Sequence, residues 1–248
     1  MYQPPKQLSF RDHRLRSGRG GPRPGAGRPP QSANPPIHHV GRPPVPPRYP
    51  SHVTLRVRRE IPSLRTHGFL RELRASLSKA CERRGFRVVH YSVQRNHLHL
   101  LVEAAGKQAL GRGMKAISAR VARAVHRAFG RTGRVLHGRY HLRVLRTPRE
   151  VRNALAYVLL NARKHWRERH GTAPPVQIDE ASSARWFDGW RQTLRSRGPH
   201  PGGGPGAEGS TPGCGPLARP EVARARTWLL SLGWKRHGLI DPAEVPGG

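Results

Sequence analysis

Acidic residues are scarce in this chain: 14 Asp+Glu stand against 46 Lys+Arg in 248 residues, a formal net charge of +32. A chain with so one-sided a balance repels itself unless a polyanion neutralises it, so nucleic acid is the expected partner. Cysteine is almost absent. Cys81 and Cys214 exclude a disulfide framework and a four-cysteine zinc site, and they suit a reducing compartment. No apolar run approaches the roughly 18 residues of a membrane span, and the N-terminus lacks the apolar core of a signal peptide. The expected location is the cytoplasm, at the nucleoid. Hydrophobic residues make up only 35%, while Gly and Pro number 28 and 25, which is too loose for one core along the whole length.

Composition divides the chain. Residues 1–50 hold 13 Pro, 9 Lys+Arg and a single acid, Asp12, and read as a disordered basic arm. Within the arm, Gly27-Arg28-Pro29 and Gly41-Arg42-Pro43 resemble the Gly-Arg-Pro core of minor-groove hooks. Residues 51–170 read as the folded domain, and they too are basic, with 28 Lys+Arg against 6 Asp+Glu. An extension over 171–197 follows, then a linker over 198–220 with 8 Gly and 6 Pro in 23 residues. A short helical tail over 221–248 closes the chain, its helix expected within Val222–Leu232.

In the domain, His52 to Arg58 alternates apolar and polar residues, the period of a half-buried strand. Phe69, Leu70, Leu73, Leu77, Ala80 and Cys81 recur at helical spacing, with Gly85 placed as a C-terminal cap. Arg87–Val93 and His97–Glu103 read as strands of a hairpin turning at Arg95-Asn96. Leu110, Met114, Ile117, Val121, Val125 and Phe129 define a long amphipathic helix. Arg120, Arg123, Arg127 and Arg131 run down another face of it and are candidate DNA-phosphate contacts, a solvated face being the alternative. A fourth strand is expected within 134–145. Thr147-Pro148-Arg149-Glu150 then starts a helix, with Thr147 as N-cap, Pro148 at the first helical position and Glu150 closing a capping box. The order predicts an α+β, ferredoxin-like βαββαβ antiparallel sheet with an additional C-terminal helix.

Two motifs carry chemistry. Residues two apart in a strand share a face, so His97 and His99 of Asn96-His97-Leu98-His99-Leu100 can reach one metal ion while Leu98, Leu100 and Val102 face the core. Chance alone supplies about one His-x-His in so histidine-rich a chain. On the last helix Val151, Leu155, Val158, Leu159, Ala162 and Trp166 form the apolar stripe. Asn153, Tyr157, Asn161 and Lys164 share the remaining face, Tyr157 and Asn161 lying one turn apart. A tyrosine oxygen can attack a phosphodiester and carry the cut end. A divalent ion on His97, His99 and the Asn161 amide would polarise the scissile phosphate, and mixed imidazole, carbonyl and water ligation suits Mg or Mn.

The stretch over 52–167, through Asn96 to Glu103 and Tyr157-Val158-Leu159-Leu160-Asn161, resembles the single-tyrosine HUH transposases, in particular the REP-associated tyrosine transposase branch. The resemblance implies a domain that binds single-stranded DNA with hairpin or palindromic structure, nicks it with a metal-assisted tyrosine and keeps the 5′ end as a phosphotyrosine until a 3′-OH reverses the bond. It implies Tyr157 as nucleophile, His97 and His99 as ligands of Mg or Mn, Asn161 as a candidate third ligand, and a monomer or homodimer. The chain departs from the pattern at Ala162, where relatives commonly have Pro, and at Leu136-His137, where they have Trp-Gln. Tyr140 is a rival nucleophile. The alternatives are a catalytically silent hairpin-DNA-binding protein and a basic RNA-binding protein.

Overall fold

A computed structural model describes residues 44–172, 174–191 and 220–246. The hook-like motifs, Cys214 and all of the Gly/Pro linker but Pro220 lie outside them. Folded structure begins earlier than residue 51: Val45 and Pro50 are buried, and Leu145 donates its amide to the Pro50 carbonyl at 2.9 Å.

Among the described residues, five strands are interspersed with three long helices: β1 (Ser51–Arg56), α1 (His67–Ser78), β2 (Glu82–Arg83), β3 (Phe86–Val93), β4 (His97–Ala104), α2 (Lys107–Phe129), β5 (His141–Val144) and α3 (Pro148–His170). Past α3 the chain has a 3-10 turn at Ala184–Trp186, a four-residue helix α4 (Trp228–Ser231) and a second 3-10 turn at Gly233–His237. All sheet pairings are antiparallel, in the order β2-β3-β4-β1-β5. Without the two-residue β2, this is the ferredoxin-like order expected from the sequence.

Strand alternation divides the core. Val53, Leu55, Leu98, Leu100 and Val102 point to one face, where α1 and α2 cover them with Phe69, Leu73, Leu110, Met114, Ile117 and Val121. Leu101 and Val89 point to the other face, where α3 covers them with Val151, Leu155, Val158 and Leu159. Gln94 donates to the His97 carbonyl at 2.8 Å, closing the hairpin over Arg95-Asn96. The capping box of α3 forms as read: Glu150 donates its amide to Thr147 Oγ1 at 3.2 Å and accepts from the Thr147 amide at 3.3 Å.

Three local readings are corrected. α1 stops at Ser78, so Ala80 and Cys81 lie beyond it; Gly85, at φ 70°, turns the tight β2–β3 hairpin rather than capping the helix. A two-residue strand is too short for alternation to reveal. Trp166 of the expected apolar stripe is 41% exposed and packs on His170, their ring centroids 4.3 Å apart. In the tail, the helix within 222–232 is confined to Trp228–Ser231.

Gly113 of α2 faces Phe86 so closely that a Cβ there would lie 2.2 Å from the ring, whereas one at Gly111 meets nothing within 4 Å. Glycine inside a helix ordinarily costs about 1 kcal/mol relative to alanine. Gly111→Ala is therefore expected to raise stability by up to about 1 kcal/mol. Overpacking against the buried ring reverses the sign at Gly113→Ala, which should lose about 1–3 kcal/mol in urea unfolding.

Candidate functional site

The face of the sheet under α3 is lined with imidazoles. Antiparallel pairing sets Thr54 of β1 beside His99 of β4 and Arg56 beside His97, and sets His141 and Arg143 of β5 beside Thr54 and His52. His97 Nε2 and His99 Nε2 converge to 3.0 Å. Two nitrogens bound to one ion at about 2.1 Å and a right angle lie about 3.0 Å apart, so the pair is spaced to share a cation.

Second partners orient both rings. His97 Nδ1–H donates to Asn96 Oδ1 at 2.8 Å; an amide oxygen only accepts, so the Nε2 of His97 carries the lone pair. His99 Nδ1 lies 3.2 Å from Thr54 Oγ1 and 3.1 Å from His52 Nε2. Burial lowers His97 and His52 to about 4 and His99 to about 3, with neighbouring Arg56, His52, His97, His141, Arg143 and His165 pushing the same way. At neutral pH these rings are uncharged and able to bind a cation.

Tyr157 packs against His99 and His52, its ring centroid 5.1 Å from that of His99 and 5.9 Å from that of His52, both edge-on. Lys164, two turns on, places its ammonium 5.4 Å from the Tyr157 centroid. Burial, with Glu168 adding to it, raises the phenol above its ordinary pKa, so it stays protonated until a cation or base assists. Tyr140 packs instead against the core on the other side of the sheet.

Asn161 departs from the sequence reading. It does not share an open face with Tyr157: it is 1% exposed, and neither its Oδ1 nor its Nδ2 has a hydrogen-bond partner. A clamp gathers later segments of the chain on another side of α3, since residues two apart on a helix point in nearly opposite directions. Arg163, also buried, donates to the carbonyls of Pro174, Pro175, Ala243 and Glu244, clamping the extension and the tail against α3. Trp234, Leu229 and Leu230 complete the cover. An unpaired amide one turn from Tyr157 has the donor chemistry of a third ligand. Among the described residues no cluster of three or more His, Cys, Asp or Glu is arranged to hold a metal.

Clefts open on both sides of the pair. One of about 660 Å³ runs between β1, β5 and the first half of α3, lined by His52, His99, His141, Arg143, Tyr157 and tail residue Glu244. Another of about 580 Å³ is lined by Arg65, Arg95, His97, His165 and Arg169. An extended chain has room on each side of the imidazoles; Arg143 faces Glu150 and Glu244 in the first cleft, and Arg65, Arg95 and Arg169 outnumber Glu168 in the second.

The arginine row, Arg120, Arg123 and Arg127 of α2 with Arg131 just past the helix end, is not brought to this site. It lies in the helical layer on the opposite face of the sheet. Arg120 donates to the Ser76 carbonyl and Oγ, Arg127 pairs with Glu72 at 3.4 Å and Arg131 donates to the Glu60 carbonyl, while Arg123 is exposed. Residues that the motifs did not single out complete the site: His52 and Thr54, whose alternation with Val53 and Leu55 was visible but whose strand partner was not, and Arg163.

Away from the site, His90 of β3 is wholly buried beside Ser183 Oγ at 3.2 Å and edge-on to Phe187. Burial lowers it to about 4, Asp188 opposing weakly. Because the unfolded chain takes up the proton first, its contribution is intact above pH 6.5 and lost as pH falls through about 4, at a cost of up to about 3 kcal/mol. Denaturant unfolding from pH 7.5 to 4 should show this decline, and His90→Gln should make it shallower, His52, His97 and His99 supplying the rest.

Residues 48–142 match the family described as "Transposase IS200 like". That segment holds the whole sheet but β5's last two residues, and it stops before α3. No curated protein matches the sequence. Among solved structures, the chain is similar to a REP-associated tyrosine transposase bound to a REP hairpin, at 15% identity over 52% of this chain and 74% of that one, TM-score 0.41. It is also similar to a Deinococcus radiodurans R1 protein assigned as a transposase, at 19% identity over 39% of this chain and 78% of that one, TM-score 0.31. No helix of the described residues is long and apolar enough to cross a membrane.

Proposed function

We propose that this chain, whose residues 48–142 match the family described as "Transposase IS200 like", nicks and rejoins single-stranded DNA folded into hairpins. The observation that carries the proposal is the convergence of His97 and His99 Nε2 to 3.0 Å, with the Tyr157 ring edge-on to His99 at 5.1 Å. In the proposed reaction the Tyr157 oxygen attacks the scissile phosphorus and the bond from phosphorus to the 3′-oxygen breaks. The phenol proton is lost, the departing 3′-oxygen takes one up, and the 5′ end stays on the protein as a phosphotyrosine. A free 3′-OH reverses the step.

A divalent cation, Mg or Mn, on His97 and His99 with Asn161 as candidate third ligand, would polarise the scissile phosphate and stabilise the 3′-oxygen. The residues present fit such an ion in three respects: two converging nitrogens, a His97 tautomer set by Asn96 and a buried amide with no other partner. Thr54 and His52 hold His99, Asn96 holds His97, and Lys164 places positive charge beside the phenol. Arg143 and Arg95 line the adjoining clefts, where phosphates on either side of the cut would lie.

The test is incubation of the full chain with labelled hairpin DNA and Mg or Mn. A denaturant-resistant protein–DNA adduct is expected. If no palindromic substrate gives one, strand transfer is ruled out; binding that persists in EDTA without cleavage then identifies a silent hairpin-binding protein.

A further inference from the structure

A third cleft, of about 690 Å³, opens beyond the N-terminus of α3, where the start of β1 meets the tail. Arg48, Tyr49, Arg87, Arg146, Arg226 and Trp228 line it, and no acid does. We propose that this groove binds an unpaired nucleotide of the strand that Tyr157 acts on, its base stacked on Trp228 and its phosphate met by Arg48 and Arg146. The inference rests on the single-stranded DNA reading above.

Three observations support it. First, Trp228 is 48% exposed although the residues after it, Leu229 and Leu230, are buried. Its ring is fixed in place: the Arg236 guanidinium lies 4.8 Å from its centroid, and Gly233 approaches so closely that a Cβ there would be 2.7 Å from the ring. A rigid, half-open indole among cations is how proteins hold bases of single strands. Second, the arginines divide by availability. Arg87 and Arg226 are engaged by Glu103 and Glu82 at 2.9 and 2.8 Å, whereas Arg48 and Arg146 are exposed, Arg48 lying 4.7 Å over the Tyr49 ring.

Third, the position is right. Leu145 lines the Tyr157 cleft and Arg146 lines this one, so the two clefts adjoin. Pro148 and Tyr157 are separated by about 14 Å along the axis of α3. The volume lies within the usual range for pockets that take one small ligand.

The test compares binding of the full chain, in EDTA, to a DNA hairpin with a single-stranded extension and to the same hairpin with a blunt end, by fluorescence anisotropy. The extended hairpin is expected to bind more tightly, and Trp228→Ala to reduce that preference about tenfold. Arg48→Ala and Arg146→Ala should each weaken binding of the extended form and lower its salt slope by about one. Both arginines are exposed, so these variants keep the test valid if Trp228→Ala unfolds the tail. An extended-to-blunt ratio equal in wild type and all three variants overturns the proposal. Wild type that binds DNA but never forms an adduct defeats strand transfer instead and leaves the groove's preference to be read separately.

Discussion

Tyr157→Phe is expected to abolish the covalent protein–DNA adduct and to lower cleavage by at least about 10³-fold, while Tyr140→Phe leaves both within a few-fold of wild type. The two tyrosines lie on opposite faces of the sheet. Tyr157 packs edge-on against His99, 5.1 Å from its ring, and Tyr140 packs against the core that α1 and α2 cover. Phenylalanine keeps the partly buried ring of residue 157 and removes only the oxygen, so hairpin binding and the melting temperature should hold. Adduct formation by Tyr157→Phe together with its loss in Tyr140→Phe would transfer the role of nucleophile to Tyr140.

The second large effect concerns the imidazoles. His97→Ala and His99→Ala should each remove the stimulation of cleavage by Mg or Mn and weaken Mn binding, followed by calorimetry, by at least about 100-fold. Because the two nitrogens act on one ion, the double variant should be scarcely worse than either single one. Stability should separate the two: His99 is 4% exposed and held from two sides, whereas His97 is half-buried, so His99→Ala should cost more in unfolding. Asn161→Ala gives a contrasting signature. Its amide makes no hydrogen bond that substitution would break, so Mn affinity should fall about tenfold or more with little of the loss that a bonded buried amide would give. Equal Mn affinity in wild type and Asn161→Ala removes the amide from the ligand set.

What the sequence made legible was local. The alternation around His97-Leu98-His99, the Arg95-Asn96 turn and the Thr147–Glu150 capping box depend on residues a few positions apart, and each stands where the pattern put it. What it left illegible depends on partners far along the chain. His52 reaches His99 across 47 residues of separation because β1 pairs with β4, and nothing near His52 encodes that pairing. Asn161 looked open because the α3 stripe alone defines its apolar side; that it is 1% exposed follows from how the domain packs around α3, which helical spacing does not carry. The reading of Arg120, Arg123, Arg127 and Arg131 as a phosphate track met the same limit. Helical spacing puts them in a row but does not say which face of the sheet the row adorns.

The Arg163 clamp also divides the wall of the cleft by origin. The imidazoles come from strands within residues 48–142, the stretch that matches the transposase family, whereas the opposite wall, at Glu244, comes from the last residues of the chain. Glu244 is fastened there by Arg152 at 2.7 Å as well as by Arg163. The histidine floor and the Glu244 wall of this cleft thus come from separate stretches of the chain: under the proposed reaction, substitutions around Glu244 are expected to change which DNA fits without displacing either histidine nitrogen.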